Sequence, residues 1–406
     1  MLTDLLLAIG LLMSSATQLR IDGVPVGPGE LCLAVWIGIR VFDEVRRPSR
    51  LTPSVFQLLA FWIVFAVAQS LGAIMSLLAE SIRDPFSSRH DTIAYLLVAA
   101  VSCLAVMQPN AQYRMRRTTW MLASLGAISF AILTIDSAGG IEIPMIEPWY
   151  YDRMIGWAEN ANMFAMTSAI LVFLALYLAE TAVSAKERFA ALICGMVPIV
   201  TGILSKSDAF ILCLIFSGLT LVAIKLRTWL ASYRHGLALP ALACVIIMTF
   251  PLMVAAVAPL TPAIASRIES AAEETYSEDG QGDHRFQLWR EGIVRAIDSR
   301  LLGFGPGAHL IESKTKRAPP PNFEAHNTII DILTQGGFVG VLSLVLLAVT
   351  TLVAAFRAHR DALTALLCGL AVFSMFHLIV RHPIFWFVIA LCFASRVGAI
   401  RKEGHA

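Results

Sequence analysis

Twelve apolar segments succeed one another along the chain, each bounded by charges or by glycine and proline clusters. They fall at about residues 2–19, 29–42, 53–79, 91–107, 119–135, 159–180, 189–204, 208–224, 237–260, 326–356, 361–380 and 383–398. A helix of about 20 apolar residues crosses a hydrocarbon core of roughly 30 Å. The pattern therefore predicts an all-α polytopic integral membrane protein with about twelve spans. Composition agrees: of the 406 residues 57% are hydrophobic and 15% charged, against about 25% charged in an ordinary soluble domain. Disorder, a disulfide-stapled secreted scaffold and a soluble enzyme are excluded on those grounds. A net charge of +2 gives no support for nucleic-acid binding. The seven cysteines all lie in apolar runs, which suits packed small side chains rather than a disulfide or metal framework.

Charge placement predicts the orientation. One set of connections holds Arg40, Arg46, Arg47 and Arg50, then Arg114, Arg116 and Arg117, then Lys186 and Arg188. The same set continues through Lys225, Arg227 and Arg234, Arg357 and Arg360, and Arg396, Arg401 and Lys402. The alternate short connections hold only Arg20, Arg83, Arg89, Arg153, Lys206 and Arg381. Both termini are expected in the cytoplasm, and the poorer set is expected outside. The first segment has no basic residue before its apolar run, so it reads as an uncleaved span although Ser14-Ser15-Ala16 faintly resembles a cleavage site.

Three regions follow: a bundle of nine spans over 1–260, a large outer loop over 261–325, and spans ten to twelve with a short tail over 326–406. A loop of that length is usually functional. From Arg285 onward it carries apolar residues at 286, 289, 293 and 297, the spacing of an amphipathic helix lying on the membrane or on the bundle. Between His284 and Arg317 it has an excess of four positive charges. Gly303-Phe304-Gly305-Pro306-Gly307 reads as a tight turn, with backbone N–H groups near a phosphate as a minor option. No internal repeat is evident.

Several outward residues are candidates for chemistry. His326 sits where the loop becomes a helix. At a helix N-terminus the dipole disfavours imidazolium, which suits a general base; a capping or interfacial histidine is the plainer reading. Arg285 could grip a phosphate through its planar fork, or be a surface arginine. Lys206, in the polar break Ser205-Lys206-Ser207, precedes a helix whose N-terminus would favour an anion, or is simply a turn lysine. Arg153, Asn160 and Asn162 lie at another outward helix start, and Arg381 lies between the last two spans; these are possible substrate contacts, or caps and snorkelling side chains. Asn327 adjoins His326.

His326-Asn327 with Gly336-Gly337 and Gly340, the upstream Arg285 with Trp289, Gly303-Phe304-Gly305, Asn160-Ala161-Asn162 and Ser205-Lys206 resemble the O-antigen ligase and polymerase superfamily, over roughly 150–340. The resemblance implies a bacterial inner-membrane glycosyltransferase with its active site facing the periplasm. Its donor would be a glycan on undecaprenyl diphosphate. Its acceptor would be a hydroxyl of lipid A-core for a ligase, or of another lipid-linked repeat for a polymerase of O-antigen or exopolysaccharide. It also implies inversion, no metal or other cofactor, and work beside other polysaccharide-assembly proteins. His326 would be the base, and Arg285 with Lys206 would hold the diphosphate. Lys206 departs from the family's usual arginine and loses the bidentate fork. Two other classes remain open at this point: a flippase of lipid-linked sugars, and an assembly subunit whose loop only docks partners.

Overall fold

The computed structural model describes residues 1–20, 26–49, 51–79, 85–108, 110–232, 281–311 and 322–403. The ninth apolar segment, 237–260, lies outside them, as do 261–280 and 312–321 of the long loop. The described chain is all-α apart from two short ribbons. Its helices are α1 (Leu2–Met13), α2 (Pro28–Arg46), α3 (Pro53–Leu78), α4 (Pro85–Met107), α5 (Ala111–Ser137), α6 (Ala161–Glu180), α7 (Ala185–Leu204) and α8 (Asp208–Ser232). After the undescribed stretch come α9 (Gln281–Asp298), α10 (Thr328–Arg357), α11 (Asp361–Phe373) and α12 (Pro383–Glu403). Strand β1 (Trp149–Tyr150) pairs antiparallel with β2 (Arg153–Met154), and β3 (Leu310–Ile311) with β4 (Asn322–Phe323).

Helix starts follow local chemistry. Proline opens α2 and α3, where its fixed φ suits the first turn. Side-chain oxygens of Thr52, Asn160, Ser184 and Asn327 accept from backbone N–H groups of the turns they precede.

Among the described residues, seven helices are long and apolar enough to cross a membrane: α3, α4, α5, α6, α7, α8 and α10. Two of the expected single spans are shorter than their apolar runs. α1 ends at Met13 and α11 at Phe373, with 12 and 13 residues. Such helices rise about 18–20 Å, short of the roughly 30 Å of a hydrocarbon core. The residues that follow, 14–20 and 374–382, form turns with one short 3-10 helix each, and those turns help to build a cleft.

α6 is buried along almost its whole length and is the axis of the bundle, packing on α7, α5, α11 and α8. A helix apolar on every side can occupy that position. An aromatic cluster of Phe61, Trp62, Phe65 and Trp386 joins α3 to α12.

The two sets of connections separate to opposite ends of the bundle. At one end Asp4 receives Arg114 and Arg117, Arg116 meets Glu187, and Lys225 meets Asp361 at 2.5 Å. These belong to the arginine-rich connections. At the other end Arg20, His90, Glu159, His326 and Arg381 surround a common cleft.

α10 is broken. Gly337 has φ 61° and ψ −161°, outside any helical region. The break frees carbonyls, and the Gly303–Gly307 turn takes them up: Phe304 N donates to Thr334 O and Gly305 N to Gln335 O, both at 2.8 Å. In return Phe338 N donates to Leu301 O at 2.8 Å. Of the N–H groups considered for phosphate, those of Phe304 and Gly305 are therefore spent on α10, and that of Gly303 on Ser299 Oγ. Gly303 and Gly305 also have positive φ, and a Cβ at Gly72, Gly303 or Gly337 would run into a backbone carbonyl across this contact. Gly337→Ala is expected to destabilise by about 1–3 kcal/mol through strain and collision. Gly218→Ala, with open space around it, should be neutral or slightly stabilising. Unfolding midpoints in detergent check both; a neutral Gly337→Ala would refute the break as a specified feature.

Candidate functional site

The cleft opens where α1 ends and where α2, α4, α6, α10 and α12 begin, with a volume of about 210 Å³. His326 lines it. Its backbone is left-handed, φ 51°, a conformation that costs a non-glycine residue free energy unless its surroundings impose it. They do. The buried Asp331 carboxylate accepts from Ala325 N at 2.7 Å and from Asn327 N at 3.1 Å, gripping the chain on both sides of the histidine. Asn327 Oδ1 accepts from Ile329 N and Ile330 N, so that oxygen is used as a helix cap. Trp289 of α9 donates to Ala325 O at 3.0 Å. Thr328 stitches the same turn to the α11–α12 connection, donating through Oγ1 to His377 O at 2.6 Å and accepting from Ile379 N at 3.1 Å.

Arg381 is the hub of the opposite wall. Its guanidinium reaches Asp91 at 2.8 Å and Glu324 at 2.6 Å. Asp91 has no solvent exposure, and it also meets His90 Nδ1 at 3.1 Å and accepts from Gln335 Nε2 at 3.2 Å. Tyr95 donates to Gln335 Oε1 at 2.6 Å. One network thus runs from the break in α10 to Glu324, two residues before the histidine. Burial alone would lower the Arg381 pKa, but the Glu324 and Asp91 carboxylates raise it above the ordinary guanidinium value. His382 stands beside His377, the rings stacked at 5.4 Å with their Nε2 atoms 3.3 Å apart. Burial, then His377, Arg381 and Arg20, holds His382 well below the ordinary histidine range, so it is neutral at neutral pH.

The third wall is the α1–α2 turn with the start of α6. Arg20 binds Glu30 at 2.6 Å, and Asn160 both caps α6 and lines the cleft. Gln18 laces the two pieces, donating to the carbonyls of Glu147, Gly156 and Ala158.

The sequence candidates divide between two clusters. His326, Asn160 and Arg381 come together in the cleft. Arg153, Asn162 and Lys206 gather at the α7–α8 turn: Arg153 donates to Ser205 O at 3.2 Å and to Asn162 Oδ1 at 3.4 Å, and Ser207 donates to Asn162 Oδ1 at 2.8 Å. Lys206 pairs with Asp152 at 2.6 Å, both well exposed, and its hydrogen bond holds the Asp152 carboxyl below the usual range. Arg285 lies on the first turns of α9, and its side chain is outside the described residues. The buried face of α9 is Leu288, Gly292 and Ala296, while Phe286, Ile293 and Ile297 of the expected stripe face outward.

Sequence reasoning missed the partners of Arg381. Asp91 had a signal, a carboxylate at the head of an apolar run, where a buried charge is expensive and calls for a partner. Arg20 counted only as a topological charge, and nothing local marked Glu30 or Glu159.

These features define a multi-pass membrane protein with a polar, charge-lined cleft at one end of its helical bundle. The model of the O-antigen ligase family matches residues 189–345, about two fifths of the chain and the part that carries Lys206, Arg285 and His326, and this match supports the resemblance to the O-antigen ligase and polymerase superfamily. No curated protein matches the chain significantly.

Removing Arg381 strands a buried carboxylate. Arg381→Ala is expected to cost about 3–5 kcal/mol, with Arg381→Ala/Asp91→Asn recovering part of it. Equal unfolding midpoints for the single and double variants would refute the coupling. His382 adds a pH dependence. Its lowered folded pKa means the unfolded chain binds the extra proton, so stability is full above about pH 6.5 and falls as pH drops below that. His382→Asn should flatten the wild-type decline in midpoint between pH 7 and 5.

Proposed function

We propose that the chain transfers a glycan from undecaprenyl diphosphate to a sugar hydroxyl in this cleft, at the periplasmic face of the bacterial inner membrane, with lipid A-core as acceptor. The observation that carries this reading is the placement of His326: a left-handed residue fixed from both sides by Asp331, lining a cleft whose other walls carry arginines and carboxylates. His326 takes the proton of the attacking hydroxyl as that oxygen bonds to the anomeric carbon. The bond from that carbon to the diphosphate oxygen breaks, and the diphosphate leaves with the electron pair. One in-line displacement inverts the anomeric centre.

The leaving group is a stable anion, so cations on the diphosphate and a base for the hydroxyl are sufficient, without a metal. Arg285 would supply the fork, and Lys206, at the α7–α8 turn outside the cleft lining, would supply a point charge to a diphosphate that extends beyond the cleft. Lys206 would exchange Asp152 for the diphosphate, and an exposed pair of that kind contributes little, so the exchange opposes binding only weakly. Arg381 serves to hold the cleft wall, since its guanidinium is already bound by two carboxylates.

His326→Ala and Arg285→Ala should abolish transfer while the protein stays inserted and abundant, and Lys206→Ala should slow it. Glycan profiles of cells carrying each variant, beside immunoblots of their membranes, check this; a wild-type profile for His326→Ala sinks the assignment. Deleting the gene separates the two acceptors. A ligase leaves long polymer stranded on the lipid carrier, and a polymerase leaves single repeats.

A further inference from the structure

The opposite end of the bundle carries a second cavity, unrelated to the cleft. It measures about 460 Å³ and lies between the last turns of α2 and the first turn of α5. Four arginines line it, Arg40, Arg46, Arg47 and Arg114, against two carboxylates, Asp43 and Glu44; Arg114 is already paired with a third carboxylate, Asp4, so Arg46 and Arg47 are the cations that make the excess. Glu44 is occupied by the backbone N–H and hydroxyl of Ser49, and Asp43 by Arg40 Nη1 at 2.9 Å. Arg40 is the unusual member: its side chain is only 5% exposed, and its buried Nε finds no hydrogen-bond partner among the described residues. Leaving a buried charged donor unpaired is costly, and an anion in the cavity would remove that cost. α5 adds to the field. It begins at Ala111 with no side-chain cap, so the positive end of its dipole lies within a turn of Arg114. The carbonyl end of α2 opposes an anion, and the arginine excess has to outweigh it.

The surface beside the cavity states what kind of anion fits. α2 presents Leu31, Val35, Phe42 and Val45 as exposed apolar residues on one helical face that ends at the arginines, with the Arg46 guanidinium 4.3 Å from the centre of the Phe42 ring. A free phosphate has no use for that stripe. A phospholipid does, with acyl chains along α2 and its phosphate among the arginines.

We propose that this cavity binds the headgroup phosphate of an anionic phospholipid in the leaflet opposite the cleft. Native mass spectrometry of the purified full-length protein, mixed in turn with phosphatidylglycerol, cardiolipin and phosphatidylcholine, tests it. The two anionic lipids should be retained over phosphatidylcholine. Arg46→Gln/Arg47→Gln, which alters exposed side chains only, should weaken that retention about fivefold per charge removed with an unchanged unfolding midpoint. Arg40→Gln should weaken it further; if that variant does not fold, the double variant still decides. Equal retention of phosphatidylcholine, or undiminished anionic-lipid retention by the double variant, overturns the proposal. Displacement of the lipid by excess inorganic phosphate would assign the cavity to a free anion and overturn the lipid assignment as well.

Discussion

A carboxylate sealed from solvent inside an apolar helix must be answered, and the cleft end of this protein is organised around the answer to Asp91. Desolvating such a charge costs several kcal/mol unless a cation and further donors replace the lost water. Arg381 supplies the cation, Gln335 an amide donor and His90 a ring nitrogen at hydrogen-bond distance. Each comes from a different part of the chain, so satisfying one group fixes α4, α10 and the α11–α12 connection relative to one another. Glu324 closes the network on the far side of Arg381 and brings the approach to His326 into register.

The break in α10 extends the same logic. An uninterrupted helix would keep the carbonyls of Thr334 and Gln335 in its own ladder. The positive φ of Gly337 releases them to the Gly303–Gly307 turn, which ties the long loop to the bundle. Gln335 then works twice, its carbonyl holding the loop and its side chain holding Asp91 and Tyr95. A histidine at a strained φ is maintained because the segments around it are anchored at several independent points. The role proposed for His326 calls for such preorganisation, since a base that is already placed meets a hydroxyl without reorganising.

Much of this was legible in the residues. Apolar runs marked the long helices, and Asn160 announced the start of α6 through capping chemistry. The split of arginines between alternate connections anticipated the two ends of the bundle. His326 was legible because its position, at the junction of a long loop and an apolar helix, is a local property. The ion network was not, because Asp91 and Arg381 are 290 residues apart and neither carries a local sign of the other. Nor was the orientation of α9, where the apolar spacing at 286, 289, 293 and 297 left membrane and bundle both open. Gly292 and Ala296 give closer backbone approach, so the small-residue face took the interface and the larger side chains turned outward.

By itself the sequence determined the solvent of this protein, the class of its fold and the division of its charged connections into two sets. Those follow from segment hydrophobicity and charge bias, which are sums over neighbouring residues. Only the tertiary structure decided that α1 and α11 stop short, that Arg381 braces a wall, and that Lys206 sits with Asp152 outside the cleft lining. Those outcomes depend on which distant group reaches a buried charge first and with what geometry, and no window along the chain contains that information.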